Sequence, residues 1–422
     1  MIIIADDLTG ANDTAVQYKK FGFSAILKVL HDDNKENNFY KDYDIISINA
    51  DTRPLSTQQA YERVYRITKK VCDSGNGYIY KKIDSVLRGN PDSELDAVMD
   101  AMDCHLALVA PSFPENGRHV VNGVLAVGKT KINVVDVFRK GMKRKVQGVY
   151  LQTIRNGAKS LKEYIALKQR EGIEVFVLDA DTDGDLKIVK DTSKLIHEKK
   201  VLCGSAGLAK QLSMDLAEEK KRRYKNLKEK EKGITLVVVG SRTPETALQV
   251  KRASEIWQVP IIKADTKKII KGEEQTVIKQ CIKQIENEIE KGQNLVMVAV
   301  DSLFDDYSLV LKNSNEEYAQ ALCIVETLAN LTKIVCDKTC VHAIVSTGGD
   351  TSLQICRILD TYGIELLDEI MPGIPVGKMV SEQVDDTLIV TKSGGFGEGD
   401  ALIEIIEYLQ NINYKESKLG VV

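Results

Sequence analysis

No CxxC pair occurs among the eight cysteines of this 422-residue chain, which removes the usual signatures of structural zinc and of dithiol chemistry. The nearest cluster, Cys336, Cys340 and His342, lacks a fourth ligand at a sensible spacing. Reduced, mostly buried thiols in a cytoplasmic protein are therefore expected. No continuous apolar run approaches the roughly 20 residues that a membrane helix needs. Charge of one sign is lacking too: a net charge of -3 argues against a nucleic-acid partner. A secretory signal is not expected from the first residues, which have no basic n-region. Met1-Ile2-Ile3-Ile4-Ala5 runs directly into Asp6 and Asp7, which reads as a buried first strand rather than a secretory signal.

What is present is an ordinary globular composition, 43% hydrophobic and 28% charged. The chain is too long for one hydrophobic core, so two domains are predicted. Apolar runs of strand length lie at Ile2–Ala5, Asp44–Asn49, Tyr78–Ile83, His105–Ala110, Glu174–Leu178 and Val201–Cys203. Stretches of helical periodicity, such as Thr57–Cys72, Asp92–Met102 and Leu161–Arg170, fall between them. The charged tract Glu218–Lys232, closed by Gly233, interrupts this pattern. Alternation then restarts with Thr235–Val239, Pro244–Trp257, Leu295–Val300, Asn315–Lys333 and Ala343–Ser346. The reading is an α/β protein of two lobes, 1–230 and 231–422, each a mainly parallel sheet flanked by helices.

Ligands of open α/β sheets bind at the carboxyl ends of strands. In the first lobe, Asp6 and Asp7 follow the first strand; adjacent carboxylates there are costly unless they meet cations or a substrate. The alternative is an aspartate that caps a helix starting at Thr9. Lys81–Asn90 offers Lys82, Asp84 and Arg88, an anion clamp with a carboxylate to orient it, or else a solvated loop. Arg53 follows a third strand, and the loop Ala110–Arg118 adds Asn116 and Arg118. Together Arg53, Lys82, Arg88 and Arg118 predict a pocket for a small anion. The second lobe carries glycine-rich strand ends instead: Gly240-Ser241-Arg242-Thr243, Gly348-Gly349-Asp350-Thr351 and Ser393-Gly394-Gly395-Phe396-Gly397. Glycines let backbone N–H groups approach an anion, and a following helix N-terminus adds its positive end, so these loops suit a nucleotide.

Gly123–Thr130 matches the Walker A spacing, yet the preceding strand ends well before it and its four intervening residues are all apolar, as in a hairpin.

Taken together, these segments resemble the four-carbon acid sugar kinase family from Ile2 to about Ile406. ADDLTGA at 5–11, KKIDSVLRGN at 81–90, FPENGR at 113–118 and GSAGLA at 204–209 are similar to its N-terminal motifs. GSRT at 240–243, GGDT at 348–351 and SGGFG at 393–397 stand where the family has G-S-C-S, GGET and SGNFG. The resemblance implies a sugar-acid lobe followed by an ATP lobe, and phosphorylation of the terminal hydroxyl of threonate, erythronate or 3-oxo-tetronate. It implies substrate contacts from Asp6, Arg53, Lys82, Arg88, Asn116 and Arg118. Nucleotide contacts are implied for Ser241, Thr243, Gly348, Gly349, Asp350, Thr351, Gly394 and Gly397. Val86 for Thr puts the identity of the acid in question, and Asp350 for Glu shortens a carboxylate.

Phosphoryl transfer asks a protein mainly to align donor and acceptor and to neutralise charge. ATP with Mg²⁺ carried on its phosphates is the expectation, with no residue of the chain assigned to the metal. Asp7 is the first choice for the base and Asp84 the second, with closure about residues 218–233 completing the site. An acid sugar is the expected partner, without nucleic acid or membrane; homo-oligomerisation is left open. The rival readings are a P-loop NTPase built on Gly123–Thr130 and a non-catalytic two-lobed binder of sugar acids.

Overall fold

The first apolar run is short, β-branched and buried on both faces, and it forms the strand β1 (Ile2–Ala5) inside a parallel sheet. The computed structural model describes every residue except 30–42, 76–77, 128–129, 218–232, 305–314, 385 and 420–422. The chain divides into two units, Met1–Tyr224 and Lys225–Val422. That division falls within the charged tract, which lies outside the described residues, as does nearly all of the hinge segment expected there.

In the first unit β1 is followed by β2 (Ala25–Val29), β3 (Ile45–Asn49), β4 (Ile79–Lys82), β5 (Ala107–Ala110), β6 (His119–Val121), β7 (Val124–Val127), β8 (Thr130–Asn133), β9 (Val146–Val149), β10 (Val175–Leu178) and β11 (Val201–Gly204). The main sheet runs β2-β3-β1-β4-β11-β5-β10-β9, and every pairing in it is parallel. Parallel neighbours need crossovers, which helices Leu8–Lys19, Thr57–Asp73, Pro91–Met102 and Ala158–Arg170 supply. One face is filled by Ile2, Ile4, Val64, Leu95, Met99 and Val109, all nine-tenths or more buried. From β1 the chain builds β2 and β3 on one side and then crosses to β4 on the other. Strand order thus reverses beside β1, where open sheets form their ligand crevice.

β6, β7 and β8 make a separate antiparallel sheet in which Val127 pairs with Thr130. The Walker-like segment therefore leads from one hairpin strand into the next, where a P-loop would lead into a helix; its Gly128 and Lys129 lie outside the described residues.

The second unit contains β12 (Ile234–Val239), β13 (Ile261–Ala264), β14 (Leu295–Val300), β15 (Val341–Thr347), β16 (Thr361–Met371), β17 (Ile374–Ser381) and β18 (Leu388–Lys392). Their order is β13-β14-β12-β15-β18-β17-β16, parallel as far as β18 and antiparallel across β18-β17-β16. Here the order reverses beside β12. Among the described residues one helical stretch, Ala319–Lys338, is long and apolar enough by composition to span a membrane. Its Leu328, Leu331, Thr332 and Val335 are nevertheless packed inside the unit, as in a core helix. All eight cysteines are free thiols; four are buried, and Cys323 and Cys340 are exposed.

Candidate active site

At the carboxyl ends of β1, β3 and β4, acids and bases converge as the strand order requires. Asp7 caps the helix Leu8–Lys19: its Oδ1 accepts from the Gly10 N–H at 2.9 Å and its Oδ2 from Thr9 Oγ1 at 2.6 Å. Arg53 ties the carboxylates together, with Nε donating to Asp6 Oδ2 at 2.7 Å and Nη1 to Asp7 Oδ2 at 2.8 Å. Its Nη2 lies 3.5 Å from Asp84 Oδ1. Asp84 also receives a two-pronged contact from Arg88, 2.9 Å from Nε and 2.8 Å from Nη2, and the backbone N–H groups of Val86 and Arg88. Asp6 is 2% exposed, and its Oδ1 has no hydrogen-bond partner among the described residues.

Burial alone would raise both carboxyls, yet their partners win. Arg53 and Lys82, with Thr9 and Gly10, hold Asp7 below the usual carboxylate value. The Arg88 hydrogen bond and the charges of Arg53, Arg88 and Lys82 carry Asp84 far below it.

Lys82 differs from the other cations. It is 3% exposed, and among the described residues its ammonium makes no hydrogen bond, although Asp7, Asp13 and Asp84 all feel its charge. It rests against the first turn of helix Leu8–Lys19, where a Cβ on Gly10 would stand 2.8 Å from Nζ and 2.7 Å from Asp7 Oδ1. A side chain there would force Lys82 Nζ and the Asp7 carboxylate to shift. Behind it, Lys81 Nζ pairs with Glu94 at 2.7 Å, both fully buried. Burial raises the Glu94 carboxyl against the pull of Lys81.

Asn116 and Arg118 lie on the same edge, after β5, but Arg118 Nη1 turns to the Asn116 carbonyl at 3.2 Å. No described bond joins either residue to the Arg53 cluster. The GSAGLA segment braces their loop, with Ser205 Oγ donating to the Ser112 carbonyl at 2.9 Å.

The second unit gathers its three glycine loops at the ends of β12, β15 and β18. Thr243 Oγ1 and Thr246 Oγ1 donate to the Gly394 carbonyl at 3.0 and 3.1 Å, and Thr246 Oγ1 also lies 3.1 Å from Ser241 Oγ. A Cβ on Gly394 would meet Ser241 Oγ at 2.3 Å, so close packing of loop on loop demands glycine there. Gly348, with φ +98°, donates its N–H to the Lys392 carbonyl at 2.9 Å and opens the helix Gly349–Ile358. In the first turn of that helix Asp350 is exposed, while Thr351 is buried against Gly240. The Gly397 carbonyl accepts from Gln249 Nε2 at 2.9 Å, which also bonds the Phe396 and Glu398 carbonyls. Lys392 is fully buried beneath this loop, with Nζ donating to the Ser393 and Gly394 carbonyls at 3.1 and 3.3 Å. Burial pulls that ammonium down to about 8.

Three residues of these clusters carry no obvious mark in the sequence: Asp13, Gln249 and Lys392. The helix Leu8–Lys19 is buried nearly all round despite Asn12, Asp13, Thr14 and Gln17, and only that polarity inside a core helix flags Asp13.

Comparison with known proteins bears on both units. Residues 1–133 and 128–212 match a family described as the sugar-binding N-terminal domain, and residues 236–402 one described as the nucleotide-binding C-terminal domain. A D-threonate kinase of Salmonella typhimurium is 27% identical, covering 98% of this chain and 99% of its own. A D-erythronate kinase of Heliobacterium modesticaldum is 28% identical, covering 97% of each. A crystal structure of a Salmonella typhimurium LT2 protein shares the fold with TM-score 0.77 at 20% identity, over 96% of this chain and 98% of that one. With matches across both units at nearly full length, the chain belongs to the four-carbon acid sugar kinase family.

Proposed function

We propose that this protein is an ATP-dependent kinase that phosphorylates the terminal hydroxyl of a four-carbon acid sugar, with D-threonate and D-erythronate as the leading candidates. The observation that carries the reading is the charged cluster beside β1: Arg53 and Arg88 are held in place by three carboxylates, and among the described residues the ammonium of Lys82, a buried residue, makes no hydrogen bond. A crevice whose cations are already oriented binds a small acid without paying for side-chain ordering. Arg88 and Arg53 are the groups for the substrate carboxylate, and Lys82 for the reacting end.

The residues of the second unit fit a nucleotide. Ser241, Thr243, Gly348, Gly394 and Gly397 bring hydroxyls and backbone groups to one edge, and the helix Gly349–Ile358 points its N-terminus there. ATP with Mg²⁺, when bound, supplies the phosphoryl group and neutralises its charge. Val86 offers its backbone N–H to Asp84 but no hydroxyl to the acid, so the preferred acid need not be that of either relative.

Coupled detection of ADP release with D-threonate, D-erythronate and 3-oxo-tetronate tests the reading. Magnesium-dependent turnover of at least one acid is expected. Tight binding of an acid with no ADP formed from any of them would favour a binder instead.

A further inference from the structure

A kinase of this kind needs a group to take the hydroxyl proton, and the two carboxylates beside the arginines are poorly suited. Asp7 and Asp84 accept hydrogen bonds on both oxygens, from Thr9, Gly10 and Arg53 in one case and from Arg88, Val86 and the Arg88 N–H in the other. Both are held below the ordinary carboxylate value. Such groups orient cations; they are weak proton acceptors.

A third carboxylate shares the Lys82 field. Asp13 stands one turn beyond Gly10 on helix Leu8–Lys19, hence on the face against which Lys82 Nζ rests. It is 7% exposed; Thr14 Oγ1 donates to its Oδ1 at 3.0 Å, and no described bond reaches Oδ2. The charged and titratable groups around it are Lys82, Asp7, Asp84 and Tyr80. On the neighbouring helix Ala206–Ala217, Lys210 is engaged by Glu115 and Asp183, and Asp215 by Lys190 and Lys194. Burial pushes the Asp13 carboxyl up to about 6, against the opposing pull of Lys82. It is therefore ionised at neutral pH and still basic.

We propose that Asp13 is the proton acceptor in phosphoryl transfer, with Lys82 beside it neutralising the charge that develops at the reacting oxygen. The proposal rests on the kinase reading above. In the step, the substrate hydroxyl oxygen bonds to the γ-phosphorus of ATP and its proton passes to Asp13 Oδ2. The bond from the γ-phosphorus to the bridging oxygen breaks, and its electron pair leaves with ADP. The proton returns to solvent once the phosphorylated acid departs.

The test compares the wild-type chain with Asp13→Asn by ADP release between pH 5 and 8, using an acid that the wild type turns over. Wild-type kcat should rise about tenfold per pH unit below about 6 and level off above it. Asp13→Asn should lose kcat by roughly 10²–10⁴-fold, with both KM values within about threefold. A residual kcat within threefold of wild type, or a loss confined to KM, would overturn the assignment while leaving the kinase intact. If the variant does not fold, the wild-type profile decides alone, and a flat kcat across pH 5–8 overturns it. Absence of ADP from the wild type with every acid would fell the kinase reading itself, and this proposal with it.

Discussion

At the ends of β1, β3 and β4 the side chains are Asp6, Asp7, Arg53, Lys82, Asp84 and Arg88, all charged and, Lys82 apart, bonded to one another. At the ends of β12, β15 and β18 they are mainly serine, threonine and glycine, with Lys392 buried beneath, joined through backbone carbonyls. The two clusters stand at the same topological position in their own sheets, the point where strand order reverses. Topology therefore selects the place but not the chemistry. A small organic acid brings one carboxylate and few other handles, so fixed cations suit it. A polyphosphate that travels with its own metal ion needs donors and close approach more than added charge.

Breaking the charged side of this comparison should have the largest effect. Arg53→Met leaves Asp6, Asp7 and Asp84 facing one another without their shared cation. Because the Arg53 side chain is 21% exposed, part of the cost is screened; a loss of about 3 kcal/mol is expected by urea denaturation. A loss under about 1 kcal/mol would mean that the cluster behaves like surface ion pairs.

Acid should separate the two units less sharply. Asp7, Asp84, Asp100, Asp185 and Asp215 are all depressed, and all lie in the first unit. A depressed carboxyl contributes stability that is complete above its unfolded value near 4 and is lost as pH falls below it. The raised carboxyls Asp13, Glu94 and Asp179 act the other way, but their effect falls between about pH 4 and their folded values. Hydrogen exchange between about pH 4 and 2.5 should therefore show the first unit opening before the second. Simultaneous opening would contradict the contrast.

The smallest expected effect lies within the glycine loops. A Cβ on Gly395 meets nothing within 4 Å, whereas one on its neighbour Gly394 strikes Ser241. Gly395→Asn, which installs the residue usual in the family, should leave Tm within about a degree and KM for ATP within threefold by calorimetry and steady-state kinetics.

Much of this arrangement was legible before any coordinates. Ile2–Ala5, Thr235–Val239 and Leu295–Val300 are uninterrupted apolar runs because both faces of a parallel strand are covered. Charged or glycine-rich residues directly after such runs then mark the ligand edge. The strands β16 and β17 are harder to read, since an antiparallel pair with partly exposed positions mixes polar and apolar residues: Thr361–Met371 includes Glu365, Asp368 and Glu369. Arg118 was picked from its place in the loop after β5 and from the FPENGR motif, and in the structure its guanidinium bonds the neighbouring Asn116 carbonyl. Asp13 and Lys392 escaped notice for the opposite reason: their importance comes from burial, which tertiary packing sets. Asp7 caps its helix as one local reading had it, and joins the Arg53 cluster as the other did.

The proposed division of labour gives the acid to the charged cluster and ATP to the glycine loops. Steady-state kinetics of Gly394→Val measures it most directly, because the added side chain would push Ser241 and the surrounding donors apart without touching the first unit's cluster. KM for ATP should rise more than about tenfold, the loss of one or two hydrogen bonds to a charged group, while KM for the acid stays within threefold. Equal rises in both constants would contradict the division.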